Sequence, residues 1–335
     1  MNKILFRADA GEKSGTGDLY SLLYLSQYFR GWKKYFICKK TPQTQSILDQ
    51  YKIKDSFFIS PRFDRRQEVD RINQIINREA INAFFFEVTN GPVDYLKKVQ
   101  AQVKGCIDFW GRIPDNLDLV INWDVESHRL YLPEKFPKTK FLLGPEYVVL
   151  KKDMLRAAIL NGKFKPARCL RNILVFFGGF DKSDFTFRTV ELFERLAGSL
   201  RIRVILGAGY TDKCRKKLLD FLRRKNINRI SVYQNVLEMK KHYLWADAFV
   251  GAGGLSLFEA MAMNLPAAVV STYGHQKRRC KWFKKMNAIV YLGGRSIDEN
   301  KLKQFLFSSN IHPLKFALRC DEIPNLINER LNLKT

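Results

Sequence analysis

Short, uninterrupted apolar runs recur throughout this chain, and their recurrence narrows the possible folds more than any single motif. In the first half they read "KILF", "KYFIC", "DSFFIS", "AFFFEV", "KGCIDF", "DLVINW" and "KFLLGPEYVVL". In the second half they read "NILVFFGG", "RIRVILGAG", "RISVYQ", "DAFVGAGG", "AAVVSTY" and "AIVYLGG". Helical patterns fall between them, as where Leu19, Leu22, Leu23 and Leu25 follow the first run. Strands that are apolar along their whole length are buried on both faces. Alternated with helices, they build parallel sheets with helical cover. Two such series in 335 residues exceed one comfortable core. The prediction is an α/β protein of two doubly wound, Rossmann-like domains, residues 1–162 and 168–335. The crossing is expected in the basic stretch 162–171. The closing "DEIPNLINERLNLKT" reads as an amphipathic helix with Pro324 near its start, expected to pack back on the N-terminal domain.

Composition excludes several classes. Cys38, Cys106, Cys169, Cys214, Cys280 and Cys320 form no C-x-x-C pair, and His128, His242, His275 and His312 lack metal-site spacing. Reduced thiols fit better than a disulfide framework, and no metal is expected. The sequence enters a strand without a basic leader and apolar core. No run approaches the roughly 20 apolar residues that span a bilayer, so a cytoplasmic protein is expected. The net charge of +25 implies attraction to polyanions. Its densest cluster, "KRRCKWFKK" from Lys277 to Lys285, embeds Trp282 and Phe283. Such a run is either a solvated helix face or a peripheral contact with an anionic membrane. Nucleic acid fits least, because no recognised binding motif accompanies the charge.

The glycines sit where ligands bind in doubly wound sheets, after the carboxyl ends of strands. "LFRADAGEKSGTGD" carries Gly11, Gly15 and Gly17 and ends in Asp18 at a helix start. Asp18 there is either an N-cap or a group turned to a ligand. "VFFGGFDKSD" carries Gly178 and Gly179 ahead of Asp181. "VGAGGLSLFEAMAMNLP" carries Gly251, Ala252, Gly253 and Gly254 ahead of a helix that stops before Pro266. Small residues at a helix start let backbone N–H groups face a diphosphate. Glu259, five residues beyond Gly254, is then placed to accept from ribose hydroxyls with both oxygens. The spacing matches neither a dinucleotide fingerprint nor a Walker loop.

The segments "ILFRADAGEKSGTGD", "LLGPEYVVLKKDM", "ILVFFGGFDKSDFT" and "VGAGGLSLFEAMAMNLPAAVVS" resemble a family of two-domain sugar-nucleotide enzymes. Its members include the UDP-sugar hydrolase of pseudaminic acid biosynthesis and related spore-coat polysaccharide proteins described as glycosyltransferases. The resemblance implies the GT-B architecture, with the active site in an interdomain cleft. It implies that the glycine-rich helix start holds the nucleotide diphosphate and Glu259 the ribose. It further implies sugar or acceptor contacts from Arg7, Asp9, Gly17, Glu87, Tyr147, His275 and Gln276. Three positions depart from the hydrolase pattern. Asp18 stands where the hydrolase has a histidine implicated in water attack. His275-Gln276 stands where it has Asn-Gln, and Glu87 marks the corresponding acidic motif in "FFFEVTNGP".

These residues lead to an inverting, nucleotide-sugar-dependent glycosyltransferase of surface glycan biosynthesis that needs neither metal nor cofactor. Asp18 would be the general base that deprotonates the acceptor hydroxyl. An ordinary carboxyl pKa of about 3.9 keeps it ionised near neutral pH. The alternatives are a UDP-sugar hydrolase with water as acceptor, and a non-catalytic nucleotide-sugar or polyanion-binding protein. The nucleotide, sugar and acceptor stay open.

Overall fold

The computed structural model describes residues 1–11, 15–88, 93–160, 170–181, 183–196, 198–234, 236–308 and 311–332. Contacts divide the chain into two units, Met1–Lys151 with Ala317–Thr335, and Lys152–Phe316. The expected crossing at 162–171 falls mostly outside the described residues. The terminal segment groups with the first unit.

In the first unit, the apolar runs form β1 (Lys3–Ala8), β2 (Lys33–Lys39), β3 (Ser56–Ile59), β4 (Ala83–Glu87), β5 (Val103–Ile107), β6 (Leu119–Asn122) and β7 (Lys140–Leu143). They form a parallel sheet in the order β3-β2-β1-β4-β5-β6-β7. Helices α1 (Gly17–Ser26), α2 (Pro42–Gln50) and α3 (Arg65–Glu79) link the first four strands. Their starts are written locally. Thr41 caps α2 ahead of Pro42, and Asp64 and Gln67 form a reciprocal capping box on α3. Phe84, Phe85 and Phe86 of β4 are all buried, on alternating faces. Gly105 on β5 makes room for Phe85, because a Cβ there would lie 2.2 Å from its ring.

The strict alternation of strand and helix stops at β4. The described connections onward contain 3-10 turns at Asp94–Lys98, Ser127–Leu130 and Pro133–Lys135 in place of α-helices. The stretch "DFWGRIPDN", with Gly111 and Pro114, cannot sustain a helix. Cover comes instead from the chain end. The last helix, α11 (Ile323–Asn332), buries Ile323, Ile327 and Leu331 and packs on β5.

The second unit contains α4 (Lys152–Leu160), β8 (Asn172–Phe176), α5 (Phe185–Leu196), β9 (Arg201–Leu206), α6 (Asp212–Arg224), β10 (Ile230–Gln234) and α7 (Met239–Trp245). It continues with β11 (Ala248–Ala252), α8 (Leu255–Ala262), β12 (Ala267–Val270), α9 (Gly274–Lys285), β13 (Val290–Gly293) and α10 (Glu299–Ser308). Its sheet is parallel, in the order β10-β9-β8-β11-β12-β13. No helix among the described residues is long and apolar enough to cross a membrane.

Candidate active site at two strand-order reversals

Each sheet runs outward from its first strand, then reverses. In the first unit the reversal lies between β1 and β4, and in the second between β8 and β11. The loops leaving these strands diverge to opposite faces, and the crevice between them is where doubly wound sheets bind ligands. The loops singled out in the sequence leave these strands.

In the first unit, Arg7 near the end of β1 is fully buried. Its Nη1 and Nη2 donate to Asp9 at 2.6 and 2.9 Å, and its Nε donates to Glu68 at 2.8 Å. Tyr95 Oη donates to the same Glu68 oxygen at 3.0 Å. Asp9 also accepts from the Lys39 backbone N–H at 2.8 Å. Burial opposes the charge on Asp9, but Arg7 and Lys39 together outweigh it and hold Asp9 below the usual carboxylate range. Arg7 and Asp9 therefore build an internal ion network, in which every Arg7 nitrogen has a carboxylate partner. Arg7, expected from the resemblance to contact sugar or acceptor, thus has each of its nitrogens engaged within the unit.

The loop after β1 is pinched by reciprocal backbone bonds of 2.9 and 2.8 Å between Gly11 and Gly15. Gly15 adopts φ +77°, a conformation that favours glycine. Gly17 begins α1, and a Cβ there would meet nothing within 4 Å. Asp18 follows as the second residue of the helix. The N-cap position is Thr16, which corrects the capping reading of Asp18. Its position within the first turn still places a negative charge at the positive end of α1. Asp18 is 5% exposed.

Glu87 ends β4 opposite Ala8 of β1, and α1 packs on this strand. Burial raises Glu87 well above the ordinary glutamate range, and the charges of Asp18 and Asp108 push it further. Asp108, just past β5, was not anticipated. Its carboxylate accepts from Trp110 N at 3.1 Å, Gly111 N at 2.7 Å and Tyr131 Oη at 2.6 Å. The visible signal was an acid at the end of the "KGCIDF" run, the position Glu87 holds in "AFFFEV". Tyr147 belongs to the short 3-10 turn Pro145–Tyr147. It is buried in the first unit, with the Arg319 guanidinium 5.3 Å from its ring centroid. Arg319 N donates to Glu146 O at 2.8 Å, so the "GPEY" segment seats the returning chain end. Its Gly144 has φ +122°.

In the second unit the backbone lines the crevice. A Cβ on Gly251 would lie 2.1 Å from Phe176 O, and one on Gly253 would lie 2.4 Å from Cys280 Sγ. These glycines let β11 approach β8 and let α9 approach the loop. Gly254 is the N-cap of α8 and makes no side-chain cap bond. Its virtual Cβ lies 3.3 Å from Gln276 Nε2, so the glycine loop and the "YGHQ" loop meet here. Gln276 Oε1 accepts from Thr272 N at 2.9 Å and Thr272 Oγ1 at 3.0 Å. His275 is half-buried with its ring parallel to Tyr273, centroids 6.0 Å apart. Ala252 closes β11 and is buried. Gly178, at φ +90°, and Gly179 pack against Gly207, whose Cβ would lie 2.3 Å from Gly178 O. Asp181 is spent on the start of α5, accepting from Phe185 N at 2.9 Å and Thr186 N at 2.6 Å.

Glu259 is buried in α8, and its Oε2 accepts from Tyr243 Oη at 2.9 Å. Burial and the Glu259 charge keep that phenol protonated far above its ordinary range. A two-oxygen contact with ribose, as expected from the sequence, must therefore compete with Tyr243 for Oε2. Arg279 is a further correction. Counted among the surface charges of "KRRCKWFKK", it is buried and donates from Nη1 to Gly253 O at 2.9 Å. Its guanidinium carbon stands 4.9 Å from the Phe258 ring centroid. Cys280 and Phe283 are buried too, while Lys277, Lys281, Lys284 and Lys285 are exposed. Among the described residues, no group of three or more His, Cys, Asp or Glu could hold a metal ion.

No protein-family model matches the chain. It is 23% identical over 324 residues to the spore coat polysaccharide biosynthesis protein SpsG of Bacillus subtilis, covering 93% of this chain and 90% of that protein. Among solved structures it superposes on Acinetobacter baumannii MurG with TM-score 0.62, at 13% identity and 99% coverage of both chains. A glycosyltransferase from Rickettsia africae gives 0.57, at 12% identity, covering 99% of this chain and 95% of the other. The UDP-GlcNAc 2-epimerase of Methanocaldococcus jannaschii gives 0.60, at 12% identity, covering 98% and 99%. The chain has the GT-B fold. The motif resemblance to spore-coat polysaccharide proteins thus extends over nearly the whole sequence, and the GT-B frame accounts for both parallel sheets.

Proposed function

We propose that this protein is a nucleotide-sugar-dependent, inverting glycosyltransferase of surface glycan biosynthesis, working without a metal. In this reading the N–H groups at the start of α8, beside Gly253 and Gly254, take the diphosphate. Arg279 braces that loop, and Glu259 offers its remaining oxygen to the ribose. Asp18 takes the proton of the acceptor hydroxyl as that oxygen attacks the anomeric carbon. The nucleoside diphosphate then leaves with the bonding electrons, its charge stabilised by the helix start. Glu87, His275 and Gln276 are assigned to sugar and acceptor.

The observation that carries the reading is the coincidence of both loop sets with the two strand-order reversals. Support also comes from the polysaccharide-biosynthesis name of the Bacillus subtilis relative and from the glycosyltransferase among the structural neighbours. The exposed lysines of α9 are assigned to peripheral contact with an anionic surface. Binding to vesicles independent of lipid charge at low ionic strength would remove that assignment.

The deciding experiment incubates the intact chain with UDP-GlcNAc and other nucleotide sugars, with and without glycan acceptors. Acceptor-dependent release of nucleotide supports transfer. Release without acceptor means a hydrolase, interconversion of sugar epimers means an epimerase, and binding without turnover means a binding protein.

A further inference from the structure

Glu87 is 3% exposed, and its Oε2 has no hydrogen-bond partner among the described residues. A buried oxygen left in that state has forfeited its bonds to water, so the position is costly unless a ligand completes it. The groups that act on Glu87 are Asp18 of α1 and Asp108 just past β5 through their charge, Ser21 of α1 through a side-chain hydrogen bond that favours the carboxylate, and Cys106 of β5. Ser21 Oγ already bonds Gly17 O at 2.9 Å. None of these four brings a positive charge, and neighbouring carboxylates do not all ionise together.

We propose that Glu87 stands in the site as an uncharged acid whose Oε2 binds a hydroxyl of the ligand, beside the hydroxyl that Asp18 deprotonates. The site then takes a neutral polyol ring at this corner and disfavours a ligand that is anionic there. The assignment rests on Asp18 as the base. A hydroxyl both donates and accepts, so it completes Oε2 whichever oxygen of Glu87 carries the proton. A carboxylate or phosphate would bring its charge against Asp18 and Asp108. Burial, reinforced by those two charges, already favours the protonated form of Glu87.

The test is a carbon-13 titration of glutamate Cδ in the intact chain, with the Glu87 signal identified by its loss in Glu87→Gln. Should that variant fail to fold, Glu87→Asp removes the same signal. The signal should remain in the acid form at neutral pH. Titration near the ordinary value of about 4.3 would overturn the proposal, whatever the protein catalyses. With UDP present, N-acetylglucosamine should shift the signal while leaving it in the acid form. No response to that neutral sugar, or conversion to the carboxylate by the ammonium of glucosamine, would also overturn it. Thermal unfolding gives an independent sign. A proton held more tightly by the folded state stabilises fully below the unfolded value of about 4.3, and that contribution fades as pH rises toward the folded value. The melting advantage of Glu87→Gln over wild type should therefore grow between about pH 5 and pH 8. A constant difference would contradict an uncharged Glu87. Absence of any transferase turnover would remove the proposed reaction and leave these titrations to judge Glu87 alone.

Discussion

The crevice between β1 and β4 and the crevice between β8 and β11 arise from the same strand order but are lined by different chemistry. In the second unit the lining is mostly backbone. Gly251, Gly253 and Gly254 remove side chains, α8 begins at their end, and Arg279 holds the Gly253 carbonyl. In the first unit the lining is side chain. Asp18 comes from the first turn of α1, Glu87 from the end of β4 and Asp108 from just past β5, and the same unit buries a network of Arg7, Asp9 and Glu68. A backbone crevice suits an anion common to many substrates, because N–H groups fix a phosphate without regard to what it carries. A carboxylate crevice suits proton transfer, because its acids can differ in charge state. In the proposed function, recognition falls to one unit and chemistry to the other.

The largest expected effect breaks the contrast on the chemical side. Asp18→Asn should lower turnover by roughly 10² to 10⁴, the usual contribution of a general base, measured as nucleotide release at saturating donor. Turnover equal to wild type would return Asp18 to a purely structural place in α1. Next is the network beneath. Arg7→Met leaves Glu68 buried without its cation and Asp9 with only the Lys39 ammonium, 3.9 Å away, and should cost about 3–5 kcal/mol at neutral pH, read by denaturant unfolding. In the intact protein, Asp9 lies below its ordinary range. Its contribution is present above the unfolded value of about 3.9 and is lost as pH falls through the folded value. In Arg7→Met, Asp9 loses the main cation that depressed it, so the deficit against wild type should shrink as pH falls toward about 4.

Two smaller effects sharpen the other side. Gly251→Ala drives a methyl against Phe176 O, 2.1 Å from the virtual Cβ, and should destabilise by about 1–3 kcal/mol. An unchanged melting temperature would mean that β11 has slack against β8. Glu259→Gln keeps the shape and removes the charge that Tyr243 and a ribose would share. It should weaken UDP binding by about threefold to tenfold, the scale of one hydrogen bond, measured calorimetrically.

The same contrast explains what was legible in the sequence. Buried parallel strands must be apolar along their length, so every run quoted at the outset became a strand. The steric need for glycine is also local, which made the loops after β8 and β11 readable. The carboxylate site was only half visible, because Asp18, Glu87 and Asp108 meet through the β1–β4 and β4–β5 pairings, which no spacing records. Asp108 was missed for that reason. Arg279 was misread because "KRRCKWFKK" gives no sign that one of its arginines turns inward to Gly253. The helices expected after β4 failed where glycine and proline interrupt the chain, and a distant segment, α11, packs there instead.

The division of labour is tested most directly by titrating UDP into the wild type, Asp18→Asn and Gly254→Val. Valine at Gly254 covers the start of α8, and its Cβ meets Gln276 Nε2 at 3.3 Å, so that side chain must give by a few tenths of an ångström. Wild-type affinity is expected in Asp18→Asn and a loss of at least tenfold in Gly254→Val, about 1.4 kcal/mol or more. Unchanged binding in Gly254→Val, or lost binding in Asp18→Asn, would contradict that division.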